Sequence, residues 1–136
     1  MKYKVPIAYG NHNINANDIK NVSLAIRSKN LTNGPILGKL ENNLEKYLGV
    51  KNALTCSSGT AAIHLAMLGI NLKKNDIVIM PAINFIAAYN ICKIMGAKIF
   101  FADVDKFSGQ ITPTSIKKII KDKKLKKIKV LITMYM

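Results

Sequence analysis

Thr55-Cys56-Ser57-Ser58-Gly59-Thr60-Ala61-Ala62-Ile63-His64-Leu65 decides the reading of this chain: a short apolar stretch breaks on a Ser-Ser-Gly-Thr turn and runs directly into a helix. A helix start leaves backbone N–H groups without intrahelical partners and carries the positive end of the macrodipole, so an anion over Gly59 and Thr60 meets both. Gly59 admits a bulky phosphate close to the main chain, and the Thr60 hydroxyl adds a donor. Ser and Thr are also ordinary helix caps, so this turn by itself supports either a cap or a phosphate seat.

The pattern repeats on the carboxyl side. Continuous apolar runs predict strands over 53–56, 77–80, 98–102 and 129–134, alternating with helices over 59–69, 85–95 and 113–121. Strands that read as unbroken apolar runs are buried on both faces, which implies a mostly parallel α/β sheet with flanking helices. Thr112 is placed to cap the last helix with Pro113 at its first position, and Gly69 and Gly96 suit left-handed helix ends. On the amino side, Ile19, Val22 and Ile26 recur at helical spacing over 17–28 with Asn17 as cap. Leu37, Leu40, Leu44, Tyr47 and Leu48 mark a second helix stopped by Gly49. No linker or long repeat interrupts the chain, so residues 1–136 read as one partial domain.

The 136 residues are 49% apolar, enough for one real core. The apolar runs fall short of the roughly 20 residues of a membrane helix, and Met1 to Pro6 lacks the apolar region of a signal peptide, so a cytoplasmic protein is expected. Cys56 and Cys92 have neither disulfide-framework nor zinc-ligand spacing, and both are expected as core thiols, with no metal site. The net charge of +14 invites a nucleic-acid or membrane reading. Only Arg27 among the basic residues is arginine, and the run from Lys117 to Lys129 reads as a solvated face, so neither partner is expected. His64 reads as a packed histidine. Asp103 and Asp105 follow a strand and are read as turn formers rather than a catalytic pair.

Six short motifs then stand in order: Pro6-Ile7-Ala8-Tyr9-Gly10, Leu31-Thr32-Asn33-Gly34-Pro35, the Ser57–Thr60 turn, Ala82-Ile83-Asn84-Phe85, Asp103-Val104-Asp105 with Thr112-Pro113, and Ile132-Thr133-Met134-Tyr135. This order resembles the large domain of the DegT/DnrJ/EryC1/StrS family of pyridoxal-phosphate-dependent sugar-nucleotide aminotransferases. The resemblance implies the amino-terminal part of a fold-type I large domain. It implies pyridoxal 5'-phosphate as cofactor, held by Ser58, Gly59 and Thr60 and stacked on Phe85, a residue that would otherwise read as helix core. It also implies substrate contacts at Tyr9, Lys29, Asn30, Leu31 and Thr32, a keto-sugar nucleotide and an amino-acid donor as substrates, and a homodimer.

An aminotransferase also needs a lysine that holds the cofactor and a carboxylate facing the pyridine nitrogen. In the family both come later than the segment matched here, and no lysine of this sequence lies in the family's Ser-rich lysine motif. No catalytic residue is therefore assigned, and the chain is expected to be an inactive amino-terminal fragment. Three other readings stay open: a sugar dehydratase of the same family, a small α/β phosphate-binding module, and a basic nucleic-acid-associated domain. The second lacks both GxGxxG and GxxxxGK[ST], and the third rests on net charge alone.

Overall fold

The computed structural model describes residues 10–134. The chain forms two compact units, Met1–Thr55 and Cys56–Met136.

The first unit carries α1 (Ala16–Ile26) and α2 (Pro35–Leu48). The cap of α1 is Asn15, two residues before the expected Asn17, because only Asn15 has an acid three positions into the helix. Its side chain accepts from Asn17 N at 2.8 Å and Asp18 N at 3.2 Å, while Asn15 N donates to Asp18 Oδ2 at 2.9 Å. The Gly49 stop of α2 is as expected, in the left-handed region at φ 65°. In the turn before α2, Gly34 is required by space: a Cβ there would lie 2.6 Å from the Asn30 carbonyl oxygen.

The strand expected over 53–56 does not form. Acids of α2 take its backbone donors instead: Ala53 N donates to Glu45 Oε1 at 3.1 Å, and Thr55 N and Oγ1 donate to Glu41 Oε1 at 2.9 and 2.8 Å. These bonds hold the Glu41 carboxyl below its ordinary range, the Thr55 backbone bond contributing most. A depressed carboxylate pKa means that the stabilisation is complete above the unfolded value and is lost as pH falls through the lower folded one. Glu41→Ala is expected to speed hydrogen exchange at the Thr55 amide by roughly fivefold at neutral pH. The difference from the parent chain should shrink on acidification below the ordinary glutamate range; a pH-independent difference would count against the charge-assisted bond.

The second unit begins with α3 (Gly59–Gly69) and continues β1 (Ile77–Pro81), α4 (Ile86–Ile94), β2 (Lys98–Ala102), α5 (Pro113–Asp122) and β3 (Ile128–Leu131). The three strands are parallel in the order β2-β1-β3. The expected parallel α/β architecture is therefore observed. Right-handed connections put α4 and α5 on opposite faces, since the chain steps outward to β2 and then back across β1 to β3.

Central β1 is buried through Val78, Ile79 and Met80. Val78 and Met80 share a core with Met67, Leu72, Ile91, Cys92 and Ala97. Burial pushes the Cys92 thiol pKa up, as befits an inert core cysteine. Thr112 and Ser115 form a reciprocal capping box on α5, with Pro113 following the cap, and Gly96 takes φ 76°. Gly69 is not a left-handed cap: α3 runs through it, Ile70 is the cap, and Asn71 takes φ 56°. The shift lets Leu72 reach the core, where it is 5% exposed and donates its N–H to Met67 O at 3.0 Å.

Candidate functional site

Parallel strands that end together leave a crevice beyond their carboxyl ends, and here those ends are Pro81, Ala102 and Leu131. Two helix starts reach that end of the sheet. α4 begins a few residues after β1, and α3, whose far end leads into β1, presents its amino terminus at the same end.

At the start of α3, Ser58 is the cap: its Oγ accepts from Ala61 N at 3.1 Å, and its carbonyl accepts from Ala62 N at 3.0 Å. The Gly59 and Thr60 N–H groups precede these and have no intrahelical acceptor. The space above Gly59 is open, since a Cβ built there meets nothing within 4 Å. Cap and phosphate seat are thus compatible, because the cap uses the third and fourth amides and leaves the first two.

Cys56, expected in the core, is exposed, and its Sγ donates to the Ser58 carbonyl at 3.3 Å. Without a paired strand at 53–56 there is no sheet face to cover it. His64 is half-buried on α3, in keeping with a packing role.

Phe85 is the residue preceding α4, not part of its buried face, and is 71% exposed. It lines an apolar cavity of about 270 Å³ with Pro81, Ala82, Asn84, Tyr89 and Phe101, which also includes Met80 and Ile86. Tyr89 and Phe101 stack across its floor with ring centroids 5.9 Å apart. The wall contains a donor that the sequence reading passed over: Asn84 Nδ2 is buried and has no hydrogen-bond partner. Its only sequence signal was its place beside Phe85, since an amide in a loop is usually solvated. Ser58, Gly59 and Thr60 do not line this cavity, although they share its end of the sheet.

Asp103 and Asp105 form turns, as expected. Asp103 Oδ1 accepts from Val104 N at 2.9 Å, and Asp105 Oδ1 accepts from Ser108 N at 2.8 Å, Ser108 Oγ at 3.0 Å and Phe107 N at 3.1 Å. The Ser108 bonds, with Phe107, hold the Asp105 carboxyl below its usual range. An antiparallel bridge from Val104 to Ile111 closes the loop.

Of the expected substrate positions, Lys29, Asn30, Leu31 and Thr32 lie exposed in the turn between α1 and α2. Asn30 and Leu31 line a largely apolar cleft of about 250 Å³ with Ala25, Leu37 and Leu40, whereas Lys29 and Thr32 do not. Tyr9 lies outside the described residues. No group of three or more His, Cys, Asp or Glu able to hold a metal occurs among the described residues.

Residues 12–134 match the DegT/DnrJ/EryC1/StrS aminotransferase family. The chain belongs to this family. Among its relatives is a UDP-4-amino-4,6-dideoxy-N-acetyl-β-L-altrosamine transaminase of Campylobacter jejuni, 35% identical over 105 residues, covering 77% of this chain and 27% of the relative. Another is a UDP-4-amino-4-deoxy-L-arabinose–oxoglutarate aminotransferase of Shewanella sediminis, 35% identical over 92 residues, covering 68% of this chain and 24% of the relative. A Streptococcus pneumoniae protein solved in its PMP form superposes with a TM-score of 0.82 at 25% identity, over 93% of this chain and 31% of its own. The chain thus spans about a quarter of the length of these curated relatives. The family match takes in Ser58, Gly59, Thr60, Phe85 and the Lys29–Thr32 turn, and Tyr9 precedes it.

Proposed function

We propose that this chain supplies the cofactor-phosphate cradle and ring platform of a pyridoxal-phosphate-dependent aminotransferase acting on a keto-sugar nucleotide, with an amino acid as donor. The observation that carries this reading is the capped start of α3, where Gly59 and Thr60 offer two amides and open space. The chemistry of the cradle fits a phosphate monoester, and the exposed Phe85 ring with the unpartnered Asn84 amide beside it fits a planar, polar heterocycle. When bound, the cofactor supplies the electron sink and carries the amino group between donor and acceptor.

In this reading Ser58 fixes the start of α3, so the Gly59 and Thr60 N–H groups and the Thr60 hydroxyl bind and orient the phosphate. Phe85 holds the ring by its face and excludes water from that side, and Asn84 donates to a polar atom at its edge. Tyr9 and Lys29 to Thr32 are proposed to contact the sugar nucleotide, with lysine matched to its diphosphate and hydroxyls to its sugar. The names of the relatives, which specify UDP-linked amino sugars, support that substrate class. Such a substrate also supports action in the cytoplasm, and in this reading the full-length protein is a homodimer whose large domain includes residues 1–136.

Gly59→Asp tests the cradle. A carboxylate at the first helical position favours the dipole and has room for its Cβ, so α3 should be kept or strengthened. It would also occupy the anion seat. Binding of pyridoxal phosphate, followed by absorbance and competed by inorganic phosphate, should fall at least tenfold, by like-charge repulsion. Phe85→Ala should weaken the same binding about fivefold without altering phosphate competition. Unchanged affinity in Gly59→Asp would refute the cradle.

A further inference from the structure

The end of the sheet opposite the proposed cradle is strongly basic, and the lysines that make it so are far apart in sequence. Lys73 and Lys74 sit in the turn that enters β1, and Lys98 opens β2 beside it, with Ile77 registered on Lys98. On the other side of β1, Ile77 is registered on Ile128, so the turn at 123–127 that enters β3 lies at the same rim. That turn brings Lys123, Lys124, Lys126 and Lys127, all exposed. The main chain ties the first two segments together, through Asn75 N to Gly96 O at 2.9 Å and Lys98 N to Asp76 O at 2.8 Å. Neighbouring strands lie about 4.8 Å apart, so the entries of β2 and β3 are separated by roughly 10 Å. This is about one screening length at roughly 0.1 M salt, so a charged surface facing this rim meets the lysines of all three turns together. The acids among these turns are Asp76, whose carboxylate already accepts from Lys73 N at 2.9 Å, and Asp122.

Two apolar side chains stand at this rim. α3 and α4 both end there, and Ile70 and Ile94, at those ends, are 44% and 76% exposed. The turns at 70–76, 93–98 and 122–129 contain no arginine and no aromatic residue. Nucleic-acid surfaces draw on arginine forks and aromatic platforms for bases, neither of which is present. Lysine clusters beside exposed aliphatic side chains instead match an anionic bilayer, where diffuse charge attracts the ammonium groups and isoleucine enters the headgroup region.

We propose that the amino-terminal rim of this sheet docks on an anionic phospholipid surface, leaving the carboxyl-terminal end with Gly59, Thr60 and Phe85 turned away from the bilayer. In sequence the Lys117 to Lys129 run reads as a solvated face. Parallel strand pairing is what joins that run to Lys73, Lys74 and Lys98.

The test is flotation of the chain on a density gradient with phosphatidylcholine vesicles with and without about 30% phosphatidylserine, an anionic content that sets a strong surface potential, since only vesicle-bound protein rises and self-associated protein stays at the bottom. Binding is expected only to the anionic vesicles and should fall steeply with salt. The variant Lys73→Gln/Lys74→Gln/Lys98→Gln/Lys126→Gln should lower the partition by roughly a hundredfold or more. A charge-matched control, Lys20→Gln/Lys39→Gln/Lys46→Gln/Lys51→Gln, should retain most of it, with circular dichroism verifying that both variants fold. Ile94→Ser should weaken binding severalfold at high salt, where the charges are screened. Equal loss in the control, equal binding to neutral vesicles, tighter binding to a single-stranded RNA than to anionic vesicles, or no binding at all would each overturn the proposal. None of these outcomes depends on the cofactor assignment.

Discussion

A polypeptide confined to residues 1–136, incubated with pyridoxal phosphate and reduced with borohydride, is expected to carry no lysine labelled at stoichiometric yield. A specific covalent bond to the cofactor needs a lysine beside the phosphate seat with its amine deprotonated. The Ser57–Thr60 turn and the segment from Pro81 to Phe85 contain no lysine; the lysines of the second unit concentrate at the opposite rim and on α5, and Lys106, in the loop after β2, has its ammonium over the Phe107 ring at 4.8 Å. Reversible binding that inorganic phosphate competes away is expected to persist, because cradle and platform do not depend on that lysine. The same polypeptide should show no transamination of any amino donor. Peptide mapping that located the label on a single lysine would mean that a residue of this chain takes the covalent role.

The second large effect is on assembly. The same polypeptide should elute as self-associated or aggregated species, despite a net charge of +14. The three-stranded sheet has β2 and β3 as its outer strands, with Phe101 and Leu131 about half exposed on them. Unpaired strands present backbone donors and acceptors to any other strand. α3 is apolar on every side, yet Leu65 and Leu68 are about half exposed. Helices with that composition are normally covered. In the first unit Ile19, Val22 and Ile26, which recur at helical spacing, are more than half exposed as well. Supplying the polypeptide that follows this segment in a full-length family member should convert the mixture to a defined soluble species. A monodisperse monomer with a sharp cooperative melt would instead identify a self-sufficient domain and favour the small phosphate-binding module. Size-exclusion chromatography with light scattering, run with and without the added segment, distinguishes the two.

Local rules carried much of the fold. β2 lies where its apolar run predicts, and β1 and β3 within three residues of it. Thr112, Pro113 and Ser115 start α5 by chemistry confined to four residues, and Gly49 and Gly96 end helices because only they take positive φ there without cost. The Ser58-Gly59-Thr60 helix start was legible for the same reason, since a cap and two free amides are properties of one turn.

Outcomes that depend on distant partners were not legible. Whether residues 53–56 form a strand depends on a neighbouring strand, and without one the acids Glu41 and Glu45 claim its donors and Cys56 stays exposed. Asn71 replaced Gly69 at the end of α3 because Leu72 had to reach a core built by β1 and α4. Phe85 reads equally as core or platform until α4 is seen to begin after it, and the buried Asn84 amide exists only because that loop folds over the end of β1. The sequence by itself therefore determined where most of the helices and the three sheet strands lie, how α2 ends and α5 starts, and that the turn at Ser58 opens a helix with two amides ahead of its cap, because those depend on contacts within a few residues. Tertiary structure alone decided which polar groups are left without partners and which lysines share a surface, because parallel pairing brings together residues that sequence holds fifty positions apart.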